Sequence, residues 1–415
     1  MRFDPGLNRR QLMLATAMAA GGLLARRNPA LAASTIAYWH SFTSQSEFAG
    51  LERVIQMFQE RHPEISVVQE NIPNNDFMAK VTSAVLTGSR PDTVMVQAER
   101  VDDLVAMDGL VDLTDRVNDW KLKGDFTPSA WDAITRDGKI YGTPAFTFVD
   151  WIYYRKDWFE EAGIDGPPKT MEEFAEIAEK LTDPSKGRYG YGMRGGAGGD
   201  NYMLAVLLQF GAIKVEDGRG VIDRQAAIDA VGYFTGIATK RNAVPPSVTG
   251  DSYRQVMEGF RTGQTGMIWH HTGSLAEISA ALKPGEEFMT AQVPAGPVES
   301  YRRTSFSYNG LMSDAQVDAA FDWITFWGEA DPEIAMLEAT GYFPASTKVA
   351  EDPRIADNPI YKAAADTVPN GQPPISFVGS NHWRENIVLP AMQGVLIGSS
   401  TVEQAVDTMI QGLES

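Results

Sequence analysis

Along the chain, short β-branched apolar runs alternate with stretches whose apolar residues recur at helical spacing. Thr35-Ile36-Ala37-Tyr38-Trp39 predicts a first strand that ends at His40-Ser41-Phe42-Thr43. Ser44-x-x-Glu47 then forms a capping box, and Phe48, Leu51, Ile55 and Phe58 follow as a helical stripe until His62-Pro63 stops it. Ile65–Val68 predicts a second strand, Phe77–Leu86 a second helix, and Thr93–Gln97 a third strand. A similar order restarts with an extended segment at Lys139–Pro144 and a strand at Trp151–Tyr154. Thr170-x-x-Glu173 caps a helix carrying Phe174, Ile177, Ala178 and Leu181; a strand at Tyr189–Met193 and an apolar helix at Tyr202–Phe210 follow. Gly266–Trp269 is another short strand, and a last helix, capped by Thr401 and Gln404, buries Val402, Ala405, Val406, Met409 and Leu413. This alternation predicts βαβ units with a largely parallel sheet.

The length of 415 residues favours two domains. No 20–50-residue repeat and no low-complexity linker separates them, so the expected body is compact and hinged. The first 32 residues stand apart. Asn8-Arg9-Arg10-Gln11-Leu12 is basic with a twin arginine, Leu12–Ala25 is an uncharged run, and Ala30-Leu31-Ala32 offers a cleavage site. That order predicts a secretory signal, Tat-like in its arginine pair. As a helix the uncharged run reaches about 21 Å, short of the roughly 30 Å hydrocarbon core.

The formal net charge is −18. Residues 1–32 hold five Arg against one Asp, so the mature chain stands at −22. A surface that acidic repels phosphate backbones and argues against nucleic acid as a partner. The chain has no cysteine, which excludes disulfides, thiolate catalysis and thiolate metal sites.

Catalytic motifs are absent. Gly190-x-Gly192-x-x-Gly195 has dinucleotide spacing, but the glycines run on through Gly196, Gly198 and Gly199 instead of opening a helix. None of the five histidines has metal-ligand spacing to another, and adjacent His270 and His271 point to opposite sides of a strand. Neither metal nor cofactor is expected. What stands out is aromatic residues beside small or polar ones where elements break: Tyr38-Trp39-His40-Ser41, Phe146-x-Phe148-x-Asp150-Trp151, Trp269-His270-His271-Thr272-Gly273-Ser274 and Asn381-His382-Trp383-Arg384. Sugar sites use this mixture, rings against C–H patches and planar polar groups against hydroxyls. Trp120, Trp131, Trp158, Trp323 and Trp327 are expected to fill cores instead.

Several segments taken in order resemble the extracellular solute-binding proteins of family 1. They are Ile36–Ser41, Tyr154-Arg155-Lys156-Asp157-Trp158-Phe159-Glu160-Glu161-Ala162-Gly163, Pro167–Thr170, Gly263–Met267, Thr272–Leu275 and Gly341-Tyr342-Phe343-Pro344. The resemblance implies an α/β fold of the type II periplasmic-binding-protein kind: two lobes, a hinge crossed three times and a ligand in the interlobe cleft. Crossings would fall near Phe146–Asp150, Met289–Pro294 and Tyr342–Ala345. The N-terminal lobe would comprise 33–146 and 295–341, the C-terminal lobe 147–290 and 345–415. Carried over by position, the resemblance implies ligand contacts from Trp39, His40, Ser41, Asn75, Asp76 and Gln97 in the first lobe. Phe148 and Asp150 would act at the first crossing. Arg194, Gly195, Trp269, Thr272, Gly273 and Ser274 would act from the second lobe, Gly341 and Tyr342 at the last crossing. Trp383 would stack on the ligand, with Arg384 beside it. The implied function is a monomeric, non-enzymatic periplasmic receptor that hands a sugar, oligosaccharide or glycoside to the permease subunits of an ABC importer. Two alternatives stay open: the same role for an anionic polyol or sugar derivative, and an exported carbohydrate-active enzyme.

Overall fold

The computed structural model describes residues 34–414 apart from 43, 74, 75, 376 and 378. The export signal read at 1–32, and Asn75, lie outside the described residues. The strands in chain order are β1 (Ser34–His40), β2 (Ile65–Asn71), β3 (Thr93–Gln97), β4 (Thr135–Arg136), β5 (Lys139–Ile140), β6 (Thr143–Arg155), β7 (Tyr189–Gly192), β8 (Ile213–Glu216), β9 (Arg219–Ile222), β10 (Thr265–His271), β11 (Phe288–Gln292) and β12 (Thr304–Leu311). β4–β5 and β8–β9 are separate hairpins; the others order as β2-β1-β3-β12-β6-β10-β7, with β11 also on β6.

Among the named strands, β1–β2, β1–β3 and β10–β7 pair in parallel. The neighbours of β6 and β12 all run antiparallel. The sheet is therefore mixed, a correction to the largely parallel expectation.

β6 carries that crossing. Every residue of it is buried except half-buried Phe148, as a strand covered on both faces requires. Its first half, Thr143–Val149, pairs with β12, and its second half, from Asp150, with β10 and β11. The two extended segments seen in the sequence thus join into one strand. Its pairing shifts between Ser307 and Tyr308, where Pro144 stands opposite Tyr308; proline lacks the N–H a regular ladder needs.

The first lobe packs β1, β3 and β12 against the helix Gln45–Arg61, whose Ser44–Glu47 capping box forms as read. Its stripe, Leu51, Val54 and Phe58, meets Trp323 and Trp327 in that core. The second lobe is two-sided. Ile152, Tyr154, Met267 and Trp269 face the helix Asp200–Gln209 and the last helix, Val402–Glu414. Trp151, Tyr153 and Ile268 face Phe260, Leu337 and Phe343. Residues 295–301 stay with the second lobe: Ala295 N donates to Lys169 O (2.9 Å), Val298 N to Gln209 O (3.1 Å), and Tyr301 lies in its core. The chain re-enters the first lobe at Thr304, opposite Val149, rather than at 295.

The third crossing is held by Thr147 and Phe343, which exchange backbone hydrogen bonds of 2.7 and 2.9 Å. Just beyond it, the N–H groups of Ala345 and Ser346 donate to Glu333 Oε1 at 3.0 and 3.1 Å. Glu333 is 1% exposed and its Oε2 has no hydrogen-bond partner. Burial holds this carboxyl well above the usual carboxylate range, against the two N–H donors and with Asp125 reinforcing the rise. Folded protein therefore keeps a proton that the unfolded chain releases near pH ~4.3. The stabilising contribution is complete below that pH and is lost as pH climbs toward the folded value. Glutamine cannot ionise. Denaturant titrations should show Glu333→Gln gaining stability over the native chain on going from pH 5 to pH 8, by about 1.4 kcal/mol per tenfold difference in proton affinity crossed. A difference that does not change with pH contradicts this.

Candidate functional site

Where the lobes meet, strand register sets out a floor of side chains. Asp150 on β6 lies opposite His271 on β10, and its N–H donates to Arg303 O (3.0 Å) just ahead of β12. Phe148, two residues back and so on the same face, lies opposite Ser305 of β12. Two hollows open over this floor, each lined from both lobes. One, of 340 Å³, includes Glu47, Phe148, Tyr253, His271, Gly273 and Tyr342. The other, of 420 Å³, includes Asp102, Arg136, Asn201, Arg303, Ser305 and Arg384. Larger hollows, of 680 to 1070 Å³, take no residue of β6 or β12.

The first hollow is walled by rings. Tyr342 stacks on Phe146 (4.7 Å, 18°) and meets Phe148 edge-on (4.7 Å, 72°). Tyr253 stacks on His271 (5.4 Å, 28°). Glu47 joins helix cap to cleft: Oε2 accepts the Ser44 N–H (2.7 Å) and Oε1 accepts the Tyr342 hydroxyl. The second hollow has no aromatic side chain; charged and polar groups share its wall with Pro373, Pro374 and Ile375. Arg384 there bonds Asn201 Oδ1 (2.5 Å) and Asn381 Oδ1 (2.6 Å). It begins a π turn, Arg384–Val388. Pro390 follows; it offers no N–H to the carbonyl of Asn386 and its ring crowds that carbonyl, which a wider turn relieves.

Electrostatics on the floor centre on one ion pair. Asp150 takes Arg303 with both oxygens, Nε–Oδ2 2.9 Å and Nη2–Oδ1 2.8 Å. Burial works against the charge on Arg303, but Asp150 keeps it firmly protonated. His271 is pushed down to about 3 by burial, then by Arg303 and Arg194. Burial, with Asp150, pushes Tyr202 up to about 12. Among the described residues no group of three or more His, Asp or Glu side chains could hold a metal ion.

Of the residues proposed from sequence, Phe148, Asp150, Gly273, Tyr342 and Arg384 come together at this cleft. Arg194 stands over the rings of Tyr202 (6.0 Å) and Tyr253 (5.9 Å), its Nε–H on Ala197 O (2.7 Å), and lines neither hollow. Ser41 and Gln97 are half-buried and Asp76 is exposed; none of the three lines either hollow.

Other expected contacts are corrected by burial. Trp39 lies in the first core, with Lys80 Nζ 4.7 Å over its ring. His40 is spent inside that lobe: Nε2 meets Gln69 Oε1 (2.7 Å) and Nδ1 accepts the Phe42 N–H (3.3 Å). Trp269 is buried edge-on to Tyr202 (5.5 Å). Thr272 Oγ1 takes the Val149 N–H (3.5 Å), and Ser274 Oγ lies between Tyr253 Oη (3.0 Å) and His270 Nδ1 (3.1 Å). Gly195 and Gly341 serve close packing. A Cβ would fall 2.5 Å from Val248 O at the first and 2.3 Å from Thr272 O at the second, where φ is +84°. Trp383 is 2% exposed and donates Nε1–H to Met409 O (2.8 Å), so its ring packs the second core and offers a ligand no face.

Glu47, Tyr253 and Arg303 line the cleft without being expected there from sequence, and His271 was expected only as part of a longer stretch. In the sequence Glu47 reads as the partner of the Ser44 capping box. His271 lies in the Trp269–Ser274 stretch that stands out in the sequence, and its register opposite Asp150 brings it to the cleft. Arg303 meets its partner 153 residues away in sequence, and no local pattern reports such a pairing.

The family model for bacterial extracellular solute-binding proteins matches residues 43–334. A binding protein of Brucella abortus (strain 2308) is 24% identical over 353 residues, 84% of each chain. The sn-glycerol-3-phosphate-binding periplasmic protein of Salmonella paratyphi A is 24% identical over 423 residues, 95% of each chain. The solved structure of maltose-bound MalE3 from T. maritima superposes with a TM-score of 0.79 at 22% identity, over 92% of this chain and 99% of that one. The fold is the two-lobed type II periplasmic-binding-protein fold. With most of its length matched by the family model, the chain belongs to the bacterial extracellular solute-binding proteins.

Proposed function

We propose that this protein captures a carbohydrate in the periplasm and delivers it unaltered to the permease subunits of an ABC importer. The observation that carries the reading is the cleft: rings of Phe148, Tyr253 and Tyr342 beside carboxylates and guanidiniums, supplied by both lobes over a shared floor. Rings cover the apolar faces of a sugar and the charged groups bond its hydroxyls. Contacts from both sides favour the closed arrangement of the lobes, so binding and closure are one event. The maltose-bound structural neighbour supports the ligand class. In this reading the contacts come from Glu47, Phe148, Gly273, His271, Tyr342, Arg303 and Arg384. The chain is exported by a Tat-like signal cleaved near Ala32 and acts as a monomer.

Thermal shift followed by calorimetry with maltose, D-mannitol and D-tagatose tests this, with NMR of the recovered sugar. Binding with intact sugar supports capture. Turnover, or a melting temperature unmoved by any sugar, overturns it, since a ligand of the native state alone must raise that temperature. Two substitutions separate site from core. Phe148→Ala should weaken sugar binding by about 1 kcal/mol or more through lost ring contact. Trp383→Ala should destabilise the fold by about 3–5 kcal/mol and leave the affinity of folded protein little changed. Calorimetry and denaturation on both variants check this; the reverse pattern contradicts the placement of both rings.

A further inference from the structure

Charge is balanced around the cleft. The lining cations Arg136, Arg254, Arg303 and Arg384 are matched one for one by the lining acids Glu47, Asp102, Asp132 and Glu277. Beyond the lining, Arg194 adds one cation over the ring of Tyr253, and two buried acids outweigh it: Asp150 holds Arg303, and Asp200 Oδ2 lies 3.7 Å from Arg384 Nη1. An entering phosphate or carboxylate would shed its water without meeting surplus positive charge, which is unfavourable.

His271 sits in the middle of this arrangement. The Gly273 N–H donates to its Nδ1 at 3.1 Å. Nδ1 therefore carries the lone pair, and the single ring proton of the neutral imidazole is on Nε2. The ring is held between Tyr253 (5.4 Å, 28°) and the edge of Phe148 (5.4 Å, 76°). Gly273 permits the geometry: a Cβ there would lie 2.6 Å from Tyr342 Cε1 and 3.0 Å from His271 Nδ1.

We propose that His271 is the specificity-determining residue of the cleft, a single-tautomer imidazole that donates Nε2–H to a ligand oxygen and, within charge-balanced walls, selects an uncharged sugar or polyol over its phosphorylated or carboxylated counterpart. The inference rests on the carbohydrate reading and narrows it. Asp150 pairs with His271 across the strands but is spent on Arg303, and the carboxylates that line the same hollow are held as well, Glu47 by the Ser44 N–H and the Tyr342 hydroxyl and Glu277 4.0 Å from Arg261 Nη1. A neutral N–H donor bonds a hydroxyl or ring oxygen without attracting a counter-anion.

Calorimetry on the mature chain tests this with maltose and D-mannitol, each beside its 1-phosphate, and with glycerol 3-phosphate. The proteins are native, His271→Gln and His271→Phe, each verified as folded by circular dichroism. A neutral probe should bind native protein at least tenfold more tightly than its phosphate. His271→Gln, which retains a neutral N–H donor, should keep most of that affinity. His271→Phe, which retains the ring and loses the donor, should lose tenfold or more. A phosphate that binds native protein as tightly as its neutral parent overturns the inference while leaving the carbohydrate reading intact. So does a His271→Phe protein that binds like native. Failure of every probe to bind overturns the carbohydrate reading and this inference with it.

Discussion

β6 belongs to both lobes at once, and the rest of the structure depends on that. Thirteen residues run without interruption from a pairing with β12 to pairings with β10 and β11. At the change of partner sits Asp150, almost fully buried and bound at both oxygens by Arg303, where the chain returns to the first lobe. Breaking such a pair by removing one member leaves an uncompensated charge, a cost of about 3–5 kcal/mol. The third crossing is tied to the same strand through Thr147 and Phe343. With several segments crossing side by side, relative motion of the lobes reduces to rotation about them. In the proposed closure, the floor of the cleft is also the axis.

That arrangement explains why the two hollows differ. Toward Tyr342 and Tyr253 the walls are rings, stiffened by stacking on Phe146 and His271. Toward Arg384 there are no aromatic rings; guanidiniums share the wall with carboxylates, prolines and Ile375, and each guanidinium already has protein partners. One end suits the faces of a sugar and the other its hydroxyl edges. Most of the charged groups are fixed by neighbours before any ligand arrives, so little ordering remains to be done on binding.

Much of the fold could be read from the chain. Ser44–Glu47, Thr170–Glu173 and Thr401–Gln404 each cap the helix read from them, because a cap is a local interaction over three residues. The glycines near Gly190 serve close packing. A Cβ at Gly190 would fall 1.8 Å from Ala178 O, so the strand needs glycine to approach its helix. The site was less legible. Phe148, Asp150, Gly273 and Tyr342 sit at or beside chain crossings, and family order carried them. Trp39 and Trp383 misled because an aromatic next to polar residues has the same sequence appearance whether its ring faces a cleft or a core. Arg303 and His271 acquire meaning only through register with Asp150, set by strands far apart in sequence.

The most direct test of the central claim, that the lobes close by rotation about β6 onto a bound sugar, is an interlobe distance. The chain has no cysteine, so spin labels can be placed uniquely through Lys121→Cys in the first lobe and Glu385→Cys in the second. Electron–electron resonance with and without the sugar that gives the largest thermal shift should show the distance distribution moving shorter and narrowing on binding. A distribution that stays the same with saturating sugar would contradict closure and, with it, the mechanical role given to the crossing strand.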